Sequence, residues 1–143
     1  MVLPRIAING FGRIGRTIMR IAKQRQHYDV VAINDLASPE QLAYAFKYDS
    51  IHGTFDGEVK VDGRNMEIAG DPFVVLNEQD PAQLPWAELG IDYVVESSGV
   101  FRKLEDLNKH LEAGAKRIIL TVPSKDPLEA TLVAGVNDHV VTP

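Results

Sequence analysis

The stretch that decides the fold is Asn9-Gly10-Phe11-Gly12-Arg13-Ile14-Gly15. A short apolar run precedes it, and apolar residues at helical spacing follow it, namely Ile14, Ile18, Ile21 and Ala22. A strand, a glycine turn and an amphipathic helix are therefore predicted in this order. Gly10 would turn the chain out of the strand, Gly12 would let a diphosphate approach the backbone, and Gly15 would let the helix pack closely on the sheet. The amides at the helix start would point at the anion. The pattern favours dinucleotide binding over an ordinary strand–turn–helix.

A carboxylate follows the second apolar run, residues 30–33, which ends in Asn34-Asp35. Asp35 stands 20 residues after Gly15, where an acid accepts hydrogen bonds from the adenosine ribose. A 2′-phosphate about 5 Å away would be repelled by roughly 3 kcal/mol at an effective dielectric of about 20. Leu36 and Ala37 offer neither a hydroxyl nor a cation to offset this repulsion, so NAD is favoured over NADP. The alternative is that Asp35 only begins the next turn.

Composition excludes several classes of function. The chain has 143 residues, enough for one domain, and its net charge of −5 gives no reason to expect binding to nucleic acid or to a membrane surface. It contains no cysteine, which excludes disulfides, thiolate metal sites and a cysteine nucleophile within these residues. The four histidines are scattered, so no metal site is expected. With no secretory signal in the sequence, a cytoplasmic location is expected.

The rest of the chain predicts alternating helices and strands. Ser38-Pro39-Glu40-Gln41 is typical of a helix start, and residues 55–76 read as short antiparallel strands. Parallel strands are expected at residues 93–95, 118–120 and 132–134. The helix between the first two of these would bury Leu104, Leu107 and Leu111, and Trp86 would pack against the sheet. The fold class is therefore α/β, a Rossmann-type doubly wound and mostly parallel sheet with a small antiparallel insert, in one domain spanning 1–143.

The ligand crevice of such a sheet lies at the carboxyl ends of its first and fourth parallel strands. Ser98 and Gly99 would then stand opposite the glycine turn, although a plain strand-end turn is the alternative. Among the basic residues of the first helix, Arg13 would meet the diphosphate. Arg16, Arg20 and Lys23 would form a solvated or interface surface, and His52 is interpreted as a structural loop residue.

Several longer motifs carry a family resemblance. Residues 7–16 (A-I-N-G-F-G-R-I-G-R), 31–35 (V-A-I-N-D), 47–53 (K-Y-D-S-I-H-G), 94–101 (V-V-E-S-S-G-V-F) and 114–120 (G-A-K-R-I-I-L) resemble phosphorylating glyceraldehyde-3-phosphate dehydrogenase. Erythrose-4-phosphate dehydrogenase shares the opening motifs and is the alternative within the same group. The resemblance runs from about Arg5 to Asn137.

The resemblance implies NAD as the cofactor and assigns roles to residues. Arg13 and Ile14 would give backbone amides to the diphosphate, and Asp35 would hold the ribose. Thr121 would reach toward the nicotinamide, while Gln79 stands where the family commonly has an arginine near the adenine. The expected cofactor-binding residues are Asn9, Gly10, Phe11, Gly12, Arg13, Ile14, Gly15, Asn34, Asp35, Leu36, Gln79, Ser98, Gly99, Phe101 and Thr121.

The resemblance also implies what lies outside these residues. The family's catalytic cysteine and histidine belong to a catalytic domain that would follow this chain's last residue, so no catalytic residue is expected here. That domain is the expected partner, and the uncovered surface predicts weak homo-oligomers. The alternatives are a free-standing, non-catalytic NAD-binding module, or an interaction module in which the glycine turn is only structural.

Overall fold

The first strand–turn–helix folds as the sequence predicts. A computed structural model describes residues 2–141. In it strand β1 (Arg5–Asn9) leads through the glycine turn into helix α1 (Arg13–Arg25). Strand β2 (Asp29–Asn34) lies parallel to β1. Helix α2 (Pro39–Lys47) then begins at a capping box, in which the Ser38 hydroxyl accepts from the Gln41 amide and the Gln41 side chain accepts from the Ser38 amide.

The remaining elements complete one large sheet and a separate hairpin. They are β3 (Tyr48–Asp49), β4 (Gly53–Thr54), β5 (Val59–Asp62), β6 (Asn65–Ile68), β7 (Asp71–Leu76), β8 (Tyr93–Glu96), α3 (Leu104–Glu112), β9 (Arg117–Leu120), and 3₁₀ turns at Pro81–Gln83 and Asp138–Val140. The sheet order is β5-β6-β7-β2-β1-β8-β9, and β3 pairs with β4 in a separate two-stranded sheet. Strands β7, β2, β1, β8 and β9 are parallel, while β5 and β6 form an antiparallel extension on β7. The Rossmann-type fold with its antiparallel insert is confirmed.

Two hydrophobic cores lie on opposite faces of this sheet because successive strand residues point to opposite sides. Ile8 and Ile33 pack with α1 and α2, whereas Ala7 and Ala32 pack with Trp86 and its neighbours. Trp86 is completely buried, as predicted. The alternation of side chains lets elements pack on both faces of the sheet. The carboxyl ends of its parallel strands form one common edge.

The inner faces of two helices differ from the sequence prediction. Helix α1 buries Gly15, Met19 and Ala22, and it leaves Ile14 and Ile21 exposed. The close approach of Gly15 to the sheet turns this face inward. In α3 the buried residues are Leu107 and His110, and the predicted Leu104 and Leu111 are exposed. His110 is accepted in the core because both of its ring nitrogens have hydrogen-bond partners.

The predicted sixth strand at residues 132–134 is wrong. Leu132 and Val133 are exposed, and a local turn takes up the backbone groups that a strand would use. The Asn137 side chain accepts from the Val133 amide at 2.6 Å and donates to the Thr131 carbonyl at 2.9 Å. Within the described residues β9 is therefore the last strand at this side of the sheet.

Candidate functional site

The glycine turn lies at the carboxyl edge of the sheet, between β1 and β8. The Gly10 amide donates to the Asn34 carbonyl at 2.8 Å, and its φ of +90° is one that only glycine adopts readily. A Cβ added at Gly10 would lie 2.5 Å from the Cα of Ser98, so the turn and the loop after β8 touch through their backbones. The order of the parallel strands reverses at this point, as the sequence predicts.

The start of α1 presents open hydrogen-bond donors. No side chain caps the helix at Gly12, and the amides of Gly12, Arg13 and Ile14 donate to no atom of residues 2–141. A Cβ added at Gly12 would meet nothing within 4 Å. Uncapped amides at a helix start, beside empty space and the positive end of the helix dipole, form a site suited to an anion. In contrast, α2 satisfies its first amides with its own capping box.

Asp35 faces this turn. Its Oδ2 accepts from the Phe11 amide at 2.8 Å, and its Oδ1 accepts from the Ala37 amide at 3.0 Å. The Asp35 amide donates to the Leu76 carbonyl, and the Asn77 side chain donates to the Asp35 carbonyl. The carboxylate is half-buried, and each of its oxygens retains a lone pair for a further donor. The acid is thus held next to the open amides rather than turned into solvent.

The opposite wall of the crevice is the loop after β8. The Ser97 hydroxyl donates to the Gly10 carbonyl at 2.6 Å, and the Ser97 amide donates to the Asn9 carbonyl at 2.8 Å. The Ser98 hydroxyl accepts from the Val100 amide, while Gly99, at φ +75°, is exposed. Sequence reasoning named Ser98 and Gly99 but missed Ser97, which fastens the loop to the glycine turn.

The other predicted residues lie around this edge. Leu36 and Gln79 are exposed beside Asp35 and the end of β7, whereas Phe101 is half-buried in the loop after β8. Thr121 follows β9, where its amide and its hydroxyl both donate to the Glu96 carbonyl at 3.1 Å. The side chains of Leu36 and Gln79 are thus accessible to solvent, while Thr121 uses its hydroxyl within the protein.

Asn9 and Asn34 have buried side chains, which are 2% and 4% exposed. These amides bond to each other and to buried groups rather than pointing into the crevice. Sequence reasoning also missed Glu96, His110 and their contact with Trp86. A charged residue at the end of an apolar strand and a histidine on the inward side of a helix were the available signals.

Of the five basic residues of α1, three are bound to other groups of the chain, while Arg13 and Arg25 are exposed. Arg13 is exposed and has no ion pair within residues 2–141. A solvated or interface surface is predicted for Arg16, Arg20 and Lys23, and the solvated alternative is wrong, because their side chains bond to α2 and to the chain that follows it. Arg16 pairs with Asp49, Arg20 donates to the Phe46 carbonyl, and Lys23 pairs with Asp71 at 2.8 Å.

His52 is an exposed loop residue in contact with the Thr17 hydroxyl. Its amide and that of Ile51 donate to Asp49, and together with Arg16 they lower the pKa of Asp49 to about 2. This carboxylate therefore anchors the loop to α1.

Comparison with known proteins identifies the family. Residues 4–104 match the family described as glyceraldehyde 3-phosphate dehydrogenase, NAD binding domain. The chain belongs to this family. NAD is the cofactor of this domain.

The similar proteins are much longer than this chain. Glyceraldehyde-3-phosphate dehydrogenase 1 of Kluyveromyces marxianus is 53% identical over 134 residues, which are 93% of this chain and 40% of that protein. Glyceraldehyde-3-phosphate dehydrogenase of Geobacillus stearothermophilus is 48% identical over 139 residues, covering 97% of this chain and 41% of that protein. The enzyme of Priestia megaterium is 50% identical over 134 residues. The chain therefore spans about two fifths of the length of these relatives.

The helices described for residues 2–141 include none with the length and hydropathy of a membrane-spanning segment.

Proposed function

We propose that residues 1–143 form one NAD-binding domain whose cofactor lies in the crevice between the glycine turn and the loop after β8. The observation that carries this proposal is the pairing of open amides at Gly12–Ile14 with a carboxylate fixed beside them at Asp35. A diphosphate needs hydrogen-bond donors, and ribose hydroxyls need hydrogen-bond acceptors. The two groups lie next to each other, as a dinucleotide requires.

The proposed contacts follow the order of elements along this edge. The diphosphate would accept from the amides of Arg13 and Ile14, with the Arg13 guanidinium nearby. The ribose hydroxyls would donate to Asp35, and Leu36 and Gln79 would border the adenosine. The opposite wall would consist of Ser98, Gly99 and Phe101, and Thr121 would lie toward the nicotinamide. The empty space at Gly12 supports this placement.

The reaction of the longer relatives is proposed only for a protein that includes more than these residues. NAD supplies a hydride acceptor when it is bound. This chain would hold and orient the cofactor, while oxidation of glyceraldehyde 3-phosphate would need the catalytic domain of the family. The 143 residues contain no cysteine to form a thioester. We propose the cytoplasm as the location on the resemblance alone.

The substitution Gly12→Ala tests the cofactor site. An added methyl group meets no protein atom, so the fold should survive with a loss of about 1 kcal/mol or less at this capping position. The same methyl group would occupy the space where the diphosphate approaches, and the Kd for NAD should rise at least about tenfold. Isothermal titration calorimetry measures the affinity, and urea unfolding measures the stability.

Gln24→Ala is the matched control, because Gln24 is exposed in the last turn of the same helix. It should bind NAD like the unmodified chain. An unmodified chain that shows no saturable binding at millimolar NAD would refute the proposed function. A Gly12→Ala variant with unchanged affinity would place the diphosphate elsewhere.

A second assay tests the division of labour between domains. The chain mixed with glyceraldehyde 3-phosphate, NAD and phosphate should form no NADH. NADH formation above the enzyme-free rate would show that the chemistry needs no cysteine thiol. This result would overturn the catalytic part of the proposal and leave the binding part intact.

Self-association is proposed on the exposed apolar side chains of the α2–β4 region. Tyr44 and Tyr48 are 68% and 55% exposed with ring centroids 5.0 Å apart, and Ile51 beside them is 64% exposed. Clustered apolar side chains on a surface promote association. Sedimentation velocity at increasing concentration should show a weak dimer, whereas a concentration-independent monomer would contradict this.

A further inference from the structure

A chain of buried polar side chains runs beneath the crevice and joins three strands, one helix and the turn that contains Trp86. The Trp86 indole donates to His110 Nδ1 at 3.0 Å, and His110 Nε2 lies 3.0 Å from Glu96 Oε2. Asn9 Nδ2 donates to the same Glu96 oxygen at 2.5 Å, and Asn34 Nδ2 donates to Asn9 Oδ1 at 2.7 Å. Trp86, His110 and Glu96 are completely buried. We call these five residues the buried polar chain.

The two ends of the buried polar chain fix the direction of every hydrogen bond in it. At one end the Glu78 amide donates to Asn34 Oδ1 at 2.8 Å, and the Glu78 carbonyl accepts from Asn34 Nδ2 at 2.9 Å. These backbone groups allow only one orientation of the Asn34 amide. Asn34 must then donate to Asn9, so the Asn9 nitrogen must face Glu96.

The other end gives the same result. An indole nitrogen can only donate, so His110 Nδ1 must be unprotonated and accept from Trp86. The ring proton of the neutral histidine is then on Nε2, directed at Glu96. Followed from either end, the buried polar chain therefore places a hydrogen-bond donor against Glu96.

Glu96 therefore accepts hydrogen bonds at both of its side-chain oxygens. Besides Asn9 and His110, the Ser98 amide donates to Oε1 at 2.9 Å and the Ser98 hydroxyl lies 2.5 Å from the same oxygen. No lysine or arginine of residues 2–141 pairs with Glu96. Burying a carboxyl group is costly, and hydrophobic side chains of similar size would pack this core without that cost. The placement of this polar group therefore calls for a reason other than packing.

We propose that Glu96, oriented by His110 and Trp86, is a positioning residue that holds Ser98 and thereby the crevice wall in the geometry that binds NAD. Ser98 is the residue whose backbone lies against Gly10, so its position sets the width of the crevice beside the glycine turn. At its far end the chain holds Glu78, the neighbour of Gln79. This inference rests on the proposed function, because it concerns the same cofactor site.

Two substitutions of His110 separate the two hydrogen bonds. His110→Gln can place an amide NH₂ near the position of Nε2 and keep a donor to Glu96. His110→Asn can place an oxygen near the position of Nδ1 and keep an acceptor for Trp86 while losing the donor to Glu96. We expect His110→Asn to raise the Kd for NAD about tenfold and His110→Gln to restore most of that loss.

Leu107→Val is the control for simple loss of packing, because Leu107 is the other buried residue of α3 and lies outside the buried polar chain. It should lower the urea midpoint without changing the Kd for NAD. His110→Asn and His110→Gln that bind NAD equally would overturn the inference. The inference would also be overturned if Leu107→Val and His110→Asn lost the same amount of stability and weakened NAD binding to the same extent.

The protonation state has a readout of its own in the unmodified chain. Nitrogen-15 NMR of His110 at neutral pH should show two unequal ring nitrogens, with the proton on Nε2, whether or not NAD is present. A doubly protonated ring, or a proton on Nδ1, would overturn the inference. An unmodified chain that binds no NAD would refute the proposed function instead, and the NMR result would still test the direction of the hydrogen bonds at His110.

Discussion

Asp35 gives the sharpest test of the cofactor site. Replacing it by asparagine removes one negative charge and keeps the size of the side chain. The asparagine oxygen can accept from only one of the two amides of Phe11 and Ala37. We therefore expect both NAD and NADP to lose some affinity from the disturbed turn. The ratio of the two affinities cancels this shared loss and isolates the charge.

The size of the effect follows from Coulomb's law. A 2′-phosphate about 5 Å from the carboxylate is repelled by about 3 kcal/mol per pair of unit charges at an effective dielectric of about 20. Asp35 is half-buried, and salt screens a separation of this size by about half, which leaves roughly 1.5–2 kcal/mol. The Kd ratio of NADP to NAD should therefore fall about 10- to 30-fold in Asp35→Asn.

Asp29→Asn is a matched control on the same strand. Asp29 begins β2 and Asp35 follows its end, so about 20 Å separates the two side chains at the usual rise per residue. The same change in net charge at Asp29 should leave the ratio unchanged, because the distance exceeds the screening length. Titration of both cofactors by calorimetry measures the ratio. If Asp35→Asn and Asp29→Asn give the same ratio as the unmodified chain, Asp35 does not face the ribose.

Three further predictions concern stability. Ser38→Ala removes the capping box of α2 and should cost about 1 kcal/mol of unfolding free energy in urea, whereas a loss below about 0.3 kcal/mol would contradict the role of the cap. Asp49→Asn should be less stable than the unmodified chain at neutral pH. Because the folded pKa of Asp49 is about 2 against an ordinary 3.8, this difference should shrink as the pH falls from about 4 to 2, and a difference constant over that range in thermal unfolding would refute it. Gly10→Ala should lower the melting temperature far more than Gly63→Ala, which shares a positive φ but has free space around it. Equal losses would mean that the contact with Ser98 contributes nothing.

Local rules in the sequence predicted the strand–turn–helix, the capping box and the position of Asp35. These features depend on residues close together in the chain, such as the spacing of Gly10 and Gly15 or the pair Ser38 and Gln41. The hydrogen bond from Phe11 to Asp35 then follows, because β1 and β2 are adjacent parallel strands. The periodicity of apolar residues and the residue types at the turns were sufficient to predict these features.

Contacts between distant residues could not be predicted in the same way. Residues 132–134 have the composition of a strand, but a strand needs a partner, and the Asn137 side chain instead fixes a local turn. From its residue type alone, His110 would be predicted to lie on the polar surface of α3. It becomes core only because Glu96, on a strand 14 residues earlier, and Trp86 meet it with complementary hydrogen bonds. Tertiary pairing, rather than local preference, decides both cases.

The carboxyl edge of the sheet holds two carboxylates and is still suited to a diphosphate. Glu96 has donors on both oxygens from Asn9, His110 and Ser98, so its acceptors are already occupied within the protein before a ligand arrives. Asp35 accepts two backbone amides but keeps lone pairs, which makes it a partner for hydroxyl groups.

The helix start at Gly12 has the reverse character, because its amides have no acceptors within the described residues and add to the positive end of the dipole. A cation would be repelled by these donors, and a ligand with phosphates alone would leave Asp35 unpaired. A molecule that carries a diphosphate next to a ribose satisfies both groups at once. This complementarity, rather than the three glycines by themselves, is the physical basis for assigning the crevice to a dinucleotide.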